Sequence, residues 1–415
     1  MPIDEKAIYV YADLENNPKL MGRLFVGNAR GKEIFSFEYC REWIQCVDTG
    51  CVLDPDIQLY EGRQYVPQDK TLFGVFSDSC PDRWGRLLLQ RKETILARKD
   101  GRKPRALAES DYLLGVYDRA RLGALRFSLE ERGPFLASYE GEAIPPWTTL
   151  RALESASLAF ERDESGLDEK WLSQLLAPGS SLGGARPKAS VQAPDGSLWI
   201  AKFPSKHDQW NSGAWEIVAH NLADLCGLNV PEAKLETFTE IGSTFLVKRF
   251  DRYDGRRIHF SSAMALLGKS DGISAEGTGY LDLAALIKSK GAQPKKDLYE
   301  LWKRIVFNMA VSNTDDHLRN HGFLLTKNGW ILSPQYDVNP NIYGDSLSLY
   351  ITLDDNTIDF ELAVETAEHY GIGVADAKNT IAEIKKIVEE NWRKLAANYS
   401  LSKDAIKHME PAFVG

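Results

Sequence analysis

Two carboxylates and an amide in the second half of the chain have the types and spacing of a phosphoryl-transfer site. Asp315 and Asn320 lie five residues apart in the stretch Asn313–Asn320, and Asp337 follows after a short predicted hairpin. One carboxylate can take the proton of an acceptor hydroxyl, while an amide and a second carboxylate hold magnesium on a nucleotide. We therefore expect Asp315 to act as the base, and Asn320 and Asp337 to be metal ligands.

The alternative is a purely structural role, in which these residues cap helices or close turns, where Asn and Asp are common. The spacing from Asp315 to Asn320 matches the H-R-D-x-x-x-x-N catalytic loop of protein kinases. His317 and His321 stand four apart, but no H-E-x-x-H pattern supports zinc. We predict that His317 orients the loop through a hydrogen bond within it.

A glycine-rich loop and a strand lysine lie upstream. Gly179–Gly184 would let backbone amides approach phosphate oxygens, although a simple turn is the commoner role and no Walker ending follows. Lys202 has apolar flanks and needs a partner, which Glu216 on the next predicted helix could supply. An exposed helix acid is the equally weighted alternative for Glu216. Phe250, where a kinase hinge would lie, could pack on a purine or in the core.

The elements that must position these groups are mixed in the first half and mostly helical after Asp251. Alternation of apolar and polar residues predicts strands at 7–12, 22–26, 33–39, 123–127, 189–193, 198–204, 234–238, 244–250 and from 323 onward. The first three are expected to form an antiparallel meander. Helical periodicity predicts helices from 87 onward and at 148–160, 168–176, 211–223, 281–290, 298–312, 360–370, 374–399 and 403–409. The segment 111–117 is either helical or a turn.

Composition indicates a globular protein of two or three domains, since the chain has 415 residues, 43% of them hydrophobic. A net charge of -9 argues against general nucleic-acid binding. No apolar run approaches the roughly 20 residues of a membrane span, and the charged start lacks a signal-peptide core. We expect a cytoplasmic location, with no membrane contact and with free thiols at Cys40, Cys46, Cys51, Cys80 and Cys226.

Six motifs in order resemble the HipA family, the serine/threonine kinase toxins of bacterial type II toxin–antitoxin systems. The motifs are Ser181–Lys188, Ile200–Pro204, Gly227–Ala233, Arg249–Arg252, Asn313–Asn320 and Tyr336–Val338. The resemblance covers nearly the whole chain. It implies an α+β, two-lobed protein-kinase-like fold with a mixed α/β N-terminal part and an all-helical C-terminal lobe. The implied domains are an N-terminal subdomain at 1–145, a kinase N-lobe at 146–252 and a helical C-lobe at 253–415.

The resemblance also implies ATP and Mg²⁺ as cofactors, with Asp315 catalytic and with Asn320 and Asp337 on the metal. The residues implied in nucleotide binding are Gly183, Gly184, Ala185, Lys188, Lys202, Lys248, Phe250 and His317. Ser181, or alternatively Ser180, would be autophosphorylated. Roughly two added negative charges beside the ATP phosphates would expel the loop and inactivate the enzyme.

Members of the family phosphorylate aminoacyl-tRNA synthetases, which causes growth arrest or persistence. The implied partner is a small DNA-binding antitoxin, so that DNA would be contacted only through it. Two positions depart from the family pattern. Asp316 stands where Gly is common, and could be a further metal ligand or merely solvated. Lys248 stands where the best-known member has an acidic hinge residue.

Three other functions fit parts of the sequence. One is a kinase of related fold that acts on a small molecule or lipid. Another is a pseudokinase that sequesters a partner, which the presence of Lys202, Asp315, Asn320 and Asp337 disfavours. A metal phosphohydrolase built on Asp315, Asp316 and His317 would leave the glycine loop unexplained.

Overall fold

The computed structural model of the protein describes residues 5–14, 16–45, 52–136, 144–162, 175, 184, 186–270 and 277–413. Its strands are β1 (Lys6–Ala12), β2 (Lys19–Ala29), β3 (Lys32–Tyr39), β4 (Gln64–Tyr65), β5 (Leu125–Ser128), β6 (Lys188–Gln192), β7 (Leu198–Lys202), β8 (Ala233–Glu236), β9 (Thr244–Lys248), β10 (Arg252–Tyr253), β11 (Arg256–Arg257), β12 (Phe260–Ser262), β13 (Gly322–Thr326) and β14 (Gly329–Leu332). Its helices are α1 (Arg41–Gln45), α2 (Gly74–Ser77), α3 (Arg83–Lys99), α4 (Glu109–Leu114), α5 (Leu150–Glu161), α6 (Ser212–Leu225), α7 (Ala263–Leu266), α8 (Tyr280–Lys290), α9 (Pro294–Ala310), α10 (Phe360–Thr366), α11 (Val374–Asn398) and α12 (Lys403–Met409).

The chain divides into two compact units. The first comprises Met1–Ala201 and Asp251–Ser270, and the second comprises Lys202–Phe250 and Asp271–Gly415. The division into three domains at 145 and 252 stays a prediction. The helix predicted at 168–176 lies outside the described residues, apart from Leu175.

The first unit contains a five-stranded antiparallel sheet in the order β4-β3-β2-β1-β5. The meander predicted for the first three strands is confirmed. Alternate residues of β1, Ile8 and Val10, are fully buried, as the period of two requires. An aromatic cluster of Phe37, Phe76 and Phe127 packs on this face with ring centroids 5.4 and 6.1 Å apart. Each such buried ring contributes about 1.5–3 kcal/mol.

The segment Asp251–Ser270 returns to the first unit and is held there by buried polar contacts. Asp251 accepts a 2.8 Å hydrogen bond from the backbone N–H of Gly123, whose φ of +72° favours glycine. Arg257 donates to the carboxylate of Asp118 at 3.1 Å. These contacts satisfy charges that would otherwise be costly to bury.

The second unit is built around α9, which ends immediately before the acid-rich loop. Pro294 occupies its first turn, where the missing N–H costs nothing, and Asp297 lies there too, favourably placed for the helix dipole. Most of its later residues are buried, including Trp302 and Phe307. The long helix α11 packs against both α6 and α9. The loop after α9 therefore leaves a helix that the core holds on several sides.

Two antiparallel pairs complete the second unit. Strand β8 pairs with β9, and β13 pairs with β14. The β13–β14 hairpin is the one expected between Asn320 and Asp337, and it stands in an otherwise mostly helical region. In the part of the chain that the structure describes, no helix has the length and apolarity to cross a bilayer. Cys40, Cys80 and Cys226 carry free thiols, as expected, while Cys46 and Cys51 lie outside the described residues.

Candidate active site

The acid-rich stretch Asn313–Asn320 forms a tight loop between α9 and β13. Ser312, which precedes it, has a φ of +46°, a left-handed conformation that turns the chain away from the helix axis. The loop ends in a 3-10 turn at Leu318–Asn320, and Leu318 is buried as its apolar anchor. The backbone around Asp315 is thus fixed on both sides.

Asn320 contacts the loop with one end of its amide. Its Nδ2 donates a 2.9 Å hydrogen bond to the backbone carbonyl of Asp315. Its Oδ1 is buried and has no hydrogen-bond partner among the described residues. A buried, unsatisfied amide oxygen costs about 1–3 kcal/mol, and such an atom is suited to bind a cation.

Asp315 is exposed, so a substrate hydroxyl can reach it. Partial desolvation by the surrounding protein raises the pKa of Asp315 above its ordinary value of 3.8; the nearby His317 lowers that pKa, while Asp337 and Asp316 raise it further. A raised pKa makes the carboxylate a better proton acceptor at neutral pH.

Asp337 follows the β13–β14 hairpin with a left-handed φ of +59°. That conformation is uncommon for a residue other than glycine and costs free energy, and such residues cluster at functional sites. Its Oδ1 lies 2.5 Å from Lys202 Nζ. The loop acid and the strand lysine, 135 positions apart in sequence, therefore meet.

Lys202, at the end of β7, binds two carboxylates. Its Nζ lies 2.5 Å from Glu216 Oε1 on α6, as well as from Asp337. Burial lowers the pKa of Lys202, but the two carboxylates outweigh burial and raise that pKa above its ordinary value. Lys202 is thus a fixed cation. Of the two roles considered for Glu216, partner of Lys202 or exposed helix acid, the structure shows the first.

The carboxylate of Asp316 is not solvated. It is buried, and its Oδ2 accepts hydrogen bonds from Tyr280, Asn308 and His321. The physical reason is that polar donors from α8, α9 and the loop converge on this one oxygen. The solvated alternative for Asp316 is therefore wrong, and the structure gives this carboxylate an internal hydrogen-bonding role.

His317 contributes to the loop through its backbone, whose N–H donates to the carbonyl of Asp315 at 3.1 Å. Its Nδ1 is buried without a hydrogen-bond partner among the described residues. Within those same ranges, no set of three or more His, Cys, Asp or Glu side chains is arranged to hold a metal ion. His321 bonds to Asp316 instead.

The two predicted hinge residues lie at the end of β9 and just after it. Lys248 forms an ion pair with Glu232 at 3.2 Å, and its backbone N–H donates to the Glu232 carbonyl. Phe250 is half-buried and packs against Tyr336, with ring centroids 5.6 Å apart. Their assignment to adenine binding stays a prediction.

In the first unit, Gly184 and Lys188 lie close together. Gly184 has a φ of +92°, and a side chain there would come within 3.1 Å of Lys188 Nζ, so glycine suits this position. Lys188 is buried and pairs with Asp82, the N-cap of α3, at 2.9 Å. The other predicted loop residues lie outside the described residues: Ser180, Ser181, Gly183 and Ala185.

The buried polar residues that contact the loop were not expected from the sequence. Asn308 is fully buried in α9 and bonds to both Asp316 and Asn313. One signal was available, because Asn308 interrupts the apolar run that precedes the loop. A buried amide within such a run needs partners on neighbouring elements.

The region that carries this candidate site matches a known protein family. A model of the HipA-like C-terminal domain matches residues 180–392, more than half of the chain. The chain therefore belongs to the HipA-like C-terminal domain family, as the motifs indicated.

Two provisionally named kinases of Sinorhizobium fredii are similar to parts of the chain. Y4mE is 30% identical over 192 residues, which cover 40% of this chain and 44% of Y4mE. Y4dM is 26% identical over 157 residues, which cover 34% of this chain and 37% of Y4dM. The matched region spans less than half of the length of either relative.

A solved structure shares the fold over almost the full length. It is the Shewanella oneidensis MR-1 toxin–antitoxin complex of HipA, HipB and operator DNA, which matches with a TM-score of 0.67 and 18% identity, covering 98% of this chain and 94% of that one. At this identity the likeness establishes the fold alone. It confirms the HipA-like fold class expected from the sequence.

Proposed function

We propose that this chain is an ATP- and Mg²⁺-dependent protein serine/threonine kinase of the HipA type. The observation that carries the proposal is the orientation of Asn320, which donates to the backbone of Asp315 while its Oδ1 stays buried and unpartnered. Membership of the HipA-like family supports the same function.

The residues present fit a magnesium site. Asn320 supplies a buried oxygen without a hydrogen-bond partner among the described residues, and Asp337 supplies a carboxylate at a strained backbone position. Mg²⁺ prefers oxygen ligands and is commonly held by one or two protein groups together with substrate phosphates. When bound, it would neutralise charge on the β- and γ-phosphates of ATP.

Asp315 would receive the proton of the acceptor hydroxyl on its exposed carboxylate. The hydroxyl oxygen forms the new bond to the γ-phosphorus of ATP, the bond from that phosphorus to the bridging oxygen breaks, and ADP leaves. The raised pKa of Asp315 suits a base that takes a proton during transfer and returns it to solvent.

Lys202 would contact the α- and β-phosphates. Its two carboxylate partners keep it protonated, and Glu216 holds its side chain from α6. Gly184 and Lys188 would contribute phosphate contacts from the glycine loop, and Lys248, Phe250 and His317 would border the nucleotide. We assign autophosphorylation to Ser181, with Ser180 as the alternative.

For the substrate and partner, the sequence resemblance supports an aminoacyl-tRNA synthetase as the phosphorylated protein and growth arrest or persistence as the outcome. The Shewanella structure, which holds HipA with HipB and operator DNA, supports a HipB-like antitoxin as partner. This chain would then reach DNA only through the antitoxin, in the bacterial cytoplasm. The three domains at 1–145, 146–252 and 253–415 remain part of the proposal.

Expression in bacterial cells followed by phosphoproteomics tests this function. The wild type should slow growth and add phosphoserine to an aminoacyl-tRNA synthetase, and co-expression of the product of the adjacent small open reading frame should relieve both effects. The Asp315→Ala variant should do neither while its circular dichroism spectrum is unchanged. A phosphoproteome that is the same for the wild type and Asp315→Ala would contradict the proposal.

A further inference from the structure

The carboxylate next to the proposed base is the centre of a buried hydrogen-bond network. The Oδ2 of Asp316 accepts from the Tyr280 hydroxyl at 2.5 Å, from Asn308 Nδ2 at 2.8 Å and from His321 Nε2 at 2.9 Å. These donors come from α8, from α9 and from the residue just before β13. One oxygen, on the residue next to Asp315, therefore connects α8, α9 and the start of β13.

The charges in this network are set by its contacts. Burial raises the pKa of Asp316, but His321 and the Tyr280 hydroxyl outweigh burial and leave that pKa below its ordinary value. Burial raises the pKa of Tyr280 well above its ordinary value, and Asp316 adds to the effect. Asp316 is thus a charged acceptor and Tyr280 a permanent donor.

Asn308 extends the network toward the other carboxylate of the site. While its Nδ2 donates to Asp316, its Oδ1 accepts from Asn313 Nδ2 at 3.1 Å and from Gln335 Nε2 at 3.3 Å. Asn313 in turn accepts, on Oδ1, the backbone N–H of Asn339 at 3.2 Å. Both polar atoms of the Asn308 side chain are therefore bonded to residues of the two segments that carry Asp315 and Asp337.

The ends of the network flank the two acids that the mechanism uses. Asp316 adjoins Asp315, while Gln335 and Asn339 lie two residues before and two residues after Asp337. Asn308 itself is fully buried in α9 among apolar neighbours, so it cannot move independently of the helix. Helix α9 is thus connected, through side chains, to the residue beside Asp315 and to residues on both sides of Asp337.

We propose that Asn308 and Asp316 are positioning residues that fix Asp315 and Asp337 relative to each other. Neither touches the reacting groups, so they act through the backbone of the two segments. This inference rests on the proposed function, because that function gives the two acids their roles. Misplacing a reacting group by about 1 Å costs roughly 100-fold in rate.

Asn308→Asp tests the inference with almost no change in volume. It replaces the donor that faces Asp316 by a carboxylate oxygen, so that two acids oppose each other. We expect kcat to fall about 100-fold, with the KM for ATP changed only a few-fold. The matched control is Asn328→Asp, the same chemical change at an exposed residue of the β13–β14 turn, which should leave both constants unchanged.

Three further variants separate positioning from stability. Asp316→Asn keeps an oxygen that can accept from all three donors and should retain most of kcat, whereas Asp316→Ala should lose it. Tyr280→Phe removes a single donor and should lower kcat several-fold even if Asn308→Asp fails to fold. If Tyr280→Phe and Asp316→Ala fold and turn over at the wild-type kcat, the positioning role is wrong.

Amide hydrogen exchange, measured by mass spectrometry, decides the inference without relying on catalysis. In Asn308→Asp, or in Tyr280→Phe if that variant alone folds, peptides covering both 313–320 and 335–339 should exchange faster than in Asn328→Asp. Unchanged exchange in either segment would overturn the coupling. A wild type that transfers no phosphate would sink the proposed function, while the exchange data would still decide whether the network joins the two segments.

Discussion

Asn320 and Asp315 are joined by a hydrogen bond from Asn320 Nδ2 to the backbone carbonyl of Asp315, at 2.9 Å. This contact gives a structural reason for the five-residue spacing between Asp315 and Asn320. A 3-10 turn brings the amide back over the start of the loop, and its other end, Oδ1, is left buried. One side chain thus connects the proposed base to the proposed metal ligand.

Asn320→Ala should weaken the magnesium dependence of the reaction. The change removes the buried oxygen and also the hydrogen bond that fixes the carbonyl of Asp315. We expect the rate at saturating ATP to fall about 100-fold, with part of the loss recovered by raising Mg²⁺ or substituting Mn²⁺. Initial rates measured across a Mg²⁺ titration check this, with Asn328→Ala as the exposed control. Superimposable titrations for Asn320→Ala and the wild type would remove Asn320 from the metal site.

Lys202→Met should destabilise the fold more than its double variant with Glu216→Gln. The single change leaves Glu216 buried without its cation, which costs about 3 kcal/mol in the free energy of unfolding. Neutralising Glu216 as well removes the uncompensated charge and should recover part of the loss. Urea unfolding of the three proteins measures both differences. Equal stability of the single variant and the wild type would show that the ion pair contributes nothing.

The pH dependence of phosphoryl transfer should report Asp315. Its pKa is raised, first by desolvation, above the ordinary 3.8, and the base works only when deprotonated. Activity should therefore rise with pH through an apparent pKa higher than 3.8, and the acid limb should lie above that of an ordinary carboxylate. A kcat/KM profile over acidic to neutral pH gives this value. An acid limb at or below the ordinary value would contradict the stated environment of Asp315.

Acid should destabilise the first unit through His259. Burial lowers the pKa of His259 from 6.5 to about 4, so the unfolded chain binds a proton before the folded one does. Stability is therefore lost as pH falls below 6.5, by about 2 kcal/mol at pH 5. The free energy of unfolding, measured at pH 7 and at pH 5, should decrease less between these two pH values for His259→Gln than for the wild type. Identical losses in the two proteins would show that His259 does not titrate in this way.

Several contacts of the candidate site could be predicted from the sequence because local pattern determines them. Only a short loop and one hairpin separate Asp315, Asn320 and Asp337, so their spacing in the sequence is informative. The need of Lys202 for a partner follows from its apolar flanks, and the structure supplies two carboxylates. In each case the signal lies within a few residues of the position it concerns.

The contact of Asp316 with Tyr280 could not be predicted because the two residues are distant in sequence. Tyr280 lies 36 residues earlier, and no local pattern shows that its hydroxyl turns toward the loop. Helix α9 begins at Pro294, four residues before the predicted start, since proline at the first turn extends the helix beyond its apolar periodicity. Likewise, the return of Asp251–Ser270 to the first unit depends on side-chain pairs such as Arg257 with Asp118.

Transfer of labelled γ-phosphate from ATP to serine, followed by peptide mass spectrometry, is the most direct test of whether this chain is a serine kinase that uses Asp315. The purified chain is incubated with Mg²⁺ and labelled ATP, alone and with a bacterial lysate, beside Asp315→Asn and the exposed control Asp254→Asn. We expect labelled serine with the wild type and Asp254→Asn, and an initial rate about 1000-fold lower with Asp315→Asn. Labelling by Asp315→Asn at the wild-type rate, or no labelled serine in any reaction, would contradict this expectation.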